Sequence, residues 1–222
     1  MQSITIATQI YAKLLFQPTE NQKKIINSFS EYIADDDFTR FFVLNGYAGT
    51  GKTTLIAAIV SALNSLGIKT ILLAPTGRAA KVLSQYTSQK ALTIHKRIYR
   101  EQTNASYESK FSLNLNRESE ALFIVDEASM LSTGSSSDKT MFGSGSLLED
   151  LIQYVRSGKK CRLMLVGDSA QLPPVGDDYS PALSPSELLP FADVVYETMD
   201  EVVRQEQSSG ILFNATLVRC ML

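Results

Sequence analysis

Gly46-Tyr47-Ala48-Gly49-Thr50-Gly51-Lys52-Thr53 follows the apolar run Phe41–Asn45 and opens the helix-like run Thr53–Leu66. It matches G-x-x-x-x-G-K-[ST], and the strand before it and the helix after it are the context that pattern requires. Glycines let the backbone curl so that successive N–H groups point inward at an anion. The start of a helix adds a favourable dipole. The Lys52 ammonium would neutralise β- and γ-phosphates, and the Thr53 hydroxyl can ligate Mg²⁺. At this composition the pattern arises by chance roughly 0.006 times per chain. A glycine-rich turn without a ligand is the bland alternative. A Rossmann reading fails, because Thr54 stands where a third glycine is needed.

Working outward, short and nearly continuous apolar runs predict strands at Phe41–Asn45, Lys69–Ala74, Ala121–Val125, Cys161–Val166 and Asp193–Tyr196. Such strands suit a sheet covered on both faces. Helix-like runs alternate with them at Thr19–Ala34, Thr53–Leu66, Gly77–Tyr86 and Leu147–Arg156. The class is α/β with a mostly parallel sheet. Leu122–Val125 ends in Asp126-Glu127, an apolar strand delivering two carboxylates. Asp126 would hold Mg²⁺, and Glu127 would orient and deprotonate an attacking water. Acids at a strand end are also common helix caps; an upstream phosphate loop makes the pair informative. In open α/β sheets ligands sit outside the carboxyl ends of the strands. Gly46–Thr53, Pro75–Ala80, Asp126–Met130 and Gly167–Val175 all begin where a predicted strand stops.

The 222 residues suffice for one domain, or for one domain and a fragment of another. Hydrophobic residues at 44% and charged residues at 20% exclude a disordered chain. A net charge of −2 argues against a histone-like basic protein and leaves a local basic groove open. Two cysteines, Cys161 and Cys220, make no CxxC pair, which fits a reducing compartment and, by default, the cytoplasm. No apolar run approaches the ~18 residues of a membrane span, and the N-terminus has no signal-peptide pattern.

Charge is segregated along the chain. Between Pro75 and Arg100 stand Arg78, Lys81, Lys90, Lys96, Arg97 and Arg100 with no acid. Tyr86, His95 and Tyr99 interleave with them, as in a single-strand groove that pairs cations with stacking rings. A solvated helix face is the equal alternative. Residues 101–120 are polar and predict an excursion or small hairpin. Residues 132–146, rich in Ser and Gly, predict a mobile loop.

GYAGTGKTT, APTGRAA, ALTIH, VDEASM and GDSAQLPPV occur in that order. They resemble motifs I, Ia, Ib, II and III of superfamily 1 DNA helicases, in the RecD-like (exodeoxyribonuclease V alpha subunit-like) branch, to which Dda-like and Pif-like helicases are similar. The resemblance covers most of residues 17–219. It implies a P-loop NTPase of RecA-like three-layer fold, paired RecA-like lobes clamping ATP and Mg²⁺, and 5′→3′ translocation on single-stranded DNA.

By the same resemblance, Gly46, Tyr47, Ala48, Gly49, Thr50, Gly51, Lys52, Thr53 and Thr54 would hold nucleotide, and Thr53 and Asp126 the metal. Lys52, Asp126, Glu127 and Gln171 would be catalytic, with Gln171 sensing the γ-phosphate. Pro75, Thr76, Gly77, Arg78, Thr93 and His95 would contact DNA; His95 as a core or cap residue is the rival reading. Gln22, in Phe16–Gln22, would read adenine or close a capping box with Thr19. Arg204, in Val202–Gln205, would be an arginine finger or a plain surface arginine.

The implied division is an ATP-binding lobe over 1–200 and the start of a second lobe over 201–222. The chain ends soon after motif IV, so as a truncated lobe it should bind Mg·ATP weakly and turn it over poorly. Recombination or repair subunits are possible partners on this resemblance, and no membrane is expected. Two other classes stay open: an interaction module with a vestigial nucleotide site, and a P-loop ATPase acting on protein or small molecules.

Overall fold

The computed structural model describes residues 2–103, 109–134, 143–174 and 176–201. The elements in chain order begin with α1 (Gln2–Lys13), α2 (Glu20–Ala34), β1 (Phe41–Gly46), α3 (Lys52–Ser65), β2 (Lys69–Ala74) and α4 (Gly77–Thr87). Next come β3 (Ala91–Thr93), α5 (Ile94–Ile98), β4 (Tyr99–Thr103), β5 (Ser109–Leu113) and β6 (Ala121–Val125). The rest are α6 (Leu147–Arg156), β7 (Arg162–Gly167), α7 (Pro185–Leu188) and β8 (Val194–Met199). Two 3₁₀ turns occupy Ala128–Met130 and Pro181–Leu183.

Six strands form one sheet in the order β3-β2-β6-β7-β1-β8. Every neighbouring pair is parallel. Alternate residues feed two cores. Phe42, Leu44, Leu122, Ile124, Met164 and Val166 pack against α1, α2, α3 and α4. Phe41, Val43, Phe123, Val125, Leu163 and Leu165 pack against α5, α6 and the turn after β6. This is a P-loop RecA-like α/β fold in three layers. Strands β1, β6 and β7 are buried throughout, as continuous apolar runs require.

Strand β3 and helices α5 and α7 add to the expected elements, and three further features depart from the sequence reading. Helix α1 was not expected. It buries Ile6, Ala7 and Ile10 against the helical layer, and its periodicity is short enough to be lost among polar neighbours. Strand β7 runs one residue later than expected, so Arg162 is its first residue. Arg162 is buried, and its guanidinium donates to the carbonyls of Ile33, Asp35 and Asp37 at the end of α2. Strand β8 extends to Met199, because its pairing with β1 continues as far as Gly46.

The 101–120 excursion does contain an antiparallel hairpin, with Tyr99 opposite Leu113. Residues 135–142 of the expected loop, Cys220, and the 202–222 segment with Arg204 lie outside the described residues. Among the described residues no helix is long and apolar enough to cross a membrane.

Candidate active site

Helix starts leave their first N–H groups without intrahelical partners. Four helices here satisfy theirs with side chains: Thr19 caps α2, Thr76 caps α4, Thr93 caps α5 and Ser146 caps α6. Helix α3 does not. Its N-cap is Gly51, at φ +93°, with no side chain to offer. The first backbone bond into the helix is from Leu55 N–H to Gly51 O. The amides of Thr53 and Thr54 make no backbone bond among the described residues, and the helix start is open to an anion. The left-handed φ of Gly51 explains the residue there, since any Cβ is strained in that region.

The rest of the loop is held from inside. Thr50 is buried, and its hydroxyl donates to Tyr47 O at 2.8 Å. Lys52 Nζ donates to the carbonyls of Gly46 and Tyr47, the latter at 2.9 Å. The ammonium is thus parked on the loop it would leave to meet a phosphate. A Cβ on Gly46 would lie 2.9 Å from Met199 Cβ, so the strand–loop junction has no room for one.

Asp126 and Glu127 leave the end of β6 at the centre of the sheet. Asp126 is 8% exposed, and its Oδ1 accepts from Glu127 N–H at 3.0 Å. Its other carboxylate oxygen has no hydrogen-bond partner among the described residues. Burial, and secondly the Glu127 charge, push its pKa up to about 6; the Glu127 N–H and Lys52 oppose the rise. Glu127 sits at φ +55°, a strained setting for a non-glycine residue of the kind that gathers at functional sites. A cavity of about 170 Å³ is lined by Tyr47, Ala48, Gly49, Gly51, Lys52, Thr53, Asp126, Glu127 and Gln171. These donors fit a Mg-bound polyphosphate: cation and amides on one wall, hydroxyl and carboxylates on the other.

Gln22 is buried and closes the capping box. Its Oε1 accepts from Thr19 N–H at 3.1 Å, and its own N–H donates to Thr19 Oγ1 at 3.2 Å. Its Nε2 also reaches Thr50 O at 3.4 Å, which ties α2 to the loop.

The six candidate DNA contacts gather at the same end of the sheet. Pro75, Thr76, Gly77 and Arg78 pass from β2 into α4, with Gly77 and Arg78 exposed. Thr93 and His95 start α5, and both threonines use their hydroxyl oxygens as caps. His95 is exposed, so it is no core residue. Its ring packs on Tyr99 at 5.7 Å, and this partial burial lowers its pKa.

Two members of the basic, ring-bearing stretch are withdrawn from the surface. Arg97 is bound to Glu118 at 2.5 Å. Tyr99 is 8% exposed and donates its hydroxyl to buried Asp150 at 2.6 Å. Both point into the layer between α5 and α6, which linear spacing does not show.

The sequence model of the AAA domain family matches residues 20–217. The chain belongs to the AAA domain family. It is 35% identical over 136 residues to the ATP-dependent RecD2 DNA helicase of Deinococcus radiodurans, covering 61% of this chain and 16% of that protein. It is 34% identical over 164 residues to the ATP-dependent DNA helicase dda of Enterobacteria phage T4, covering 71% of this chain and 33% of that protein. The Pif1 helicase from Bacteroides, solved in complex with ADP-AlF3 and ssDNA, shares the fold at a TM-score of 0.55. Identity there is 19%, over 90% of this chain and 45% of that one. The chain thus spans less than half the length of each of these relatives. The family model and these relatives support a helicase-type P-loop ATPase domain.

Two residues that shape this AAA domain's site escaped the sequence reading. Asn45, at the end of β1, is buried and grips the loop after β7, donating to Ser169 Oγ at 2.9 Å and accepting from Ser169 N–H at 3.0 Å. Its signal was a lone amide closing an apolar strand. Ser129, 1% exposed, donates to Gln171 Oε1 at 3.5 Å, and its own carbonyl accepts from Ser180 Oγ at 3.1 Å. This contact holds the Gln171 amide at the cavity and leaves its NH₂ group for a ligand. No local pattern marks that link across 42 residues.

Proposed function

We propose that this AAA domain binds and hydrolyses ATP, and that the cycle drives movement along single-stranded DNA, 5′→3′ by analogy with the RecD-like branch. One observation carries the reading. An uncapped helix start, an ammonium, a hydroxyl, two carboxylates and an amide NH₂ converge on one cavity.

The Lys52–Thr54 amides and the Lys52 ammonium bind the phosphates, the latter after leaving Gly46 O and Tyr47 O. Thr53 and Asp126 would hold Mg²⁺, which supplies positive charge at the phosphate oxygens. Glu127 orients a water and takes its proton. Gln171 donates its NH₂ to the γ-phosphate from a position that Ser129 fixes. Gln22 reads adenine only by giving up Thr19 or Thr50, so its capping role competes with base recognition. Arg204 acts as the arginine finger. Residues 1–200 form the ATP-binding lobe, and 201–222 begin the second.

Single-stranded DNA as the track is supported by the Pif1 complex and by the cluster of Thr76, Arg78, Thr93 and His95 beside the hydrolysis site. Tail-dependent unwinding by the protein that carries this lobe tests the proposal, together with ATP turnover with and without oligo(dT). Stimulation by oligo(dT) and a requirement for a 5′ tail are expected. Turnover indifferent to any single strand removes the DNA part and leaves an ATPase with another substrate.

A further inference from the structure

A second cavity adjoins the first. It measures about 340 Å³ and lies between the first turn of α4 and the 3₁₀ turn Ala128–Met130. Thr53, Asp126, Glu127 and Gln171 line both spaces, so the two meet at the carboxylates. Lys52 is the cation of the smaller cavity and Arg78 that of the larger. Among the described residues the Arg78 side chain makes no hydrogen bond or ion pair. Arg97, Arg162 and Arg40 are engaged with Glu118, the end of α2, and Asp35.

We propose that the larger cavity receives the inorganic phosphate released in the smaller one, with Arg78 as its binding cation. This rests on the ATP-hydrolysis reading above. In that reaction the water oxygen bonds to the γ-phosphorus. The bond from that phosphorus to the β–γ bridging oxygen breaks, ADP keeps the electron pair, and a water proton passes to Glu127. The freed phosphate carries more than one negative charge. ADP still occupies the loop amides and Lys52, so retreat in that direction is blocked. Asp126 and Glu127 line both spaces and repel the anion in each, and Arg78 is the cation that offsets them in the larger one. Arg binds phosphate oxygens in bidentate fashion. A DNA phosphodiester offers Arg78 the same chemistry, so the source of the phosphate must be separated by experiment.

The test titrates radiolabelled inorganic phosphate into the full chain saturated with Mg·ADP, for the parent chain, Arg78→Ala and Lys81→Ala. Lys81 lies on the same helix outside the cavity wall. Thermal melts verify that all three are folded. Arg78→Ala should weaken phosphate binding about tenfold. Lys81→Ala should leave it within about twofold.

Oligo(dT) affinity is measured on the same three proteins. Loss of oligo(dT) binding by Arg78→Ala with unchanged phosphate binding assigns the guanidinium to DNA and overturns the proposal. So does phosphate that binds only when ADP is absent, since it then occupies the loop. Failure of the chain to bind ADP at all overturns the hydrolysis reading too. Tight ADP binding with phosphate affinity indifferent to Arg78 leaves that reading standing and removes this one.

Discussion

The two ends of the central sheet both hold charged space, and a cavity larger than either of the two beside the phosphate loop lies at the opposite end. At the amino ends of the strands a space of about 420 Å³ is lined by Asp35, Lys69, Glu120, Lys160 and Arg162 among others. Apart from Asp36 on the same lining, these charges are already matched. Asp35 pairs with Arg40, Lys69 with Glu118 and Lys160 with Glu120, while Arg162 serves the end of α2. At the carboxyl ends the cavity beside the loop is about 170 Å³. There the Thr53 hydroxyl, one Asp126 oxygen, the Glu127 carboxylate and the Gln171 NH₂ line the cavity with no hydrogen-bond partner among the described residues. Buried polar groups are normally satisfied. Volume therefore says less about function than unmet hydrogen-bonding capacity, which a ligand would complete.

Glu127→Gln probes the carboxyl end hardest. It keeps the shape and removes the base, so ATP turnover should fall by ~10²–10⁴ while nucleotide affinity stays within a few-fold. Phosphate production and fluorescent-nucleotide titration measure the two. Undiminished turnover would break the assignment of this end.

Asp126→Asn tests the unmet carboxylate through stability, in metal-free buffer. The native carboxyl has its pKa raised to about 6 from an ordinary 3.8. The folded state therefore holds the proton more tightly. Its contribution is present below pH 4, is lost as pH rises to 6, and stays lost above. Two pKa units bound the effect at about 3 kcal/mol. The Asn variant should gain roughly 1–3 kcal/mol at pH 7.5 and little at pH 4, read from urea midpoints. An equal gain at both values contradicts the raised pKa.

Arg162→Met is the matching experiment at the amino end. It removes the bonds to three carbonyls and keeps most of the bulk, so stability should drop by about 2 kcal/mol. Nucleotide affinity should not change. A large shift in affinity would mean that the two ends are energetically linked and the contrast is false.

The smallest effect concerns Gln22. Gln22→Glu retains an acceptor for Thr19 N–H and loses the donor, whereas Gln22→Ala loses both, at about 1 kcal/mol. If Gln22 reads the base, both variants lose preference for ATP over GTP. If it only caps, Gln22→Glu keeps whatever preference the parent has.

Much of the site was legible in the chain. The phosphate loop, the strand bearing Asp126 and Glu127, and the boundaries of Lys69–Ala74, Ala121–Val125 and Leu147–Arg156 follow from local pattern. Each depends on interactions within a few residues: periodicity, turn geometry and the helix start. The basic stretch was half legible. Its charges were visible, but Arg97 and Tyr99 turn inward to Glu118 and Asp150, partners 21 and 51 residues away. Helix α1 was missed because its three buried residues matter only once α2 and α3 supply a surface.

The sequence by itself determined that a strand ends in an anion-binding turn and that another ends in two acids, since φ preference and apolar runs are local properties. Only the tertiary structure decided that β7 lies between those strands, that Asn45 and Ser129 hold the intervening loop, and that Arg78 faces the carboxylates. Those outcomes come from parallel pairing and side-chain burial between segments far apart in the chain, where desolvation selects partners that linear spacing does not encode.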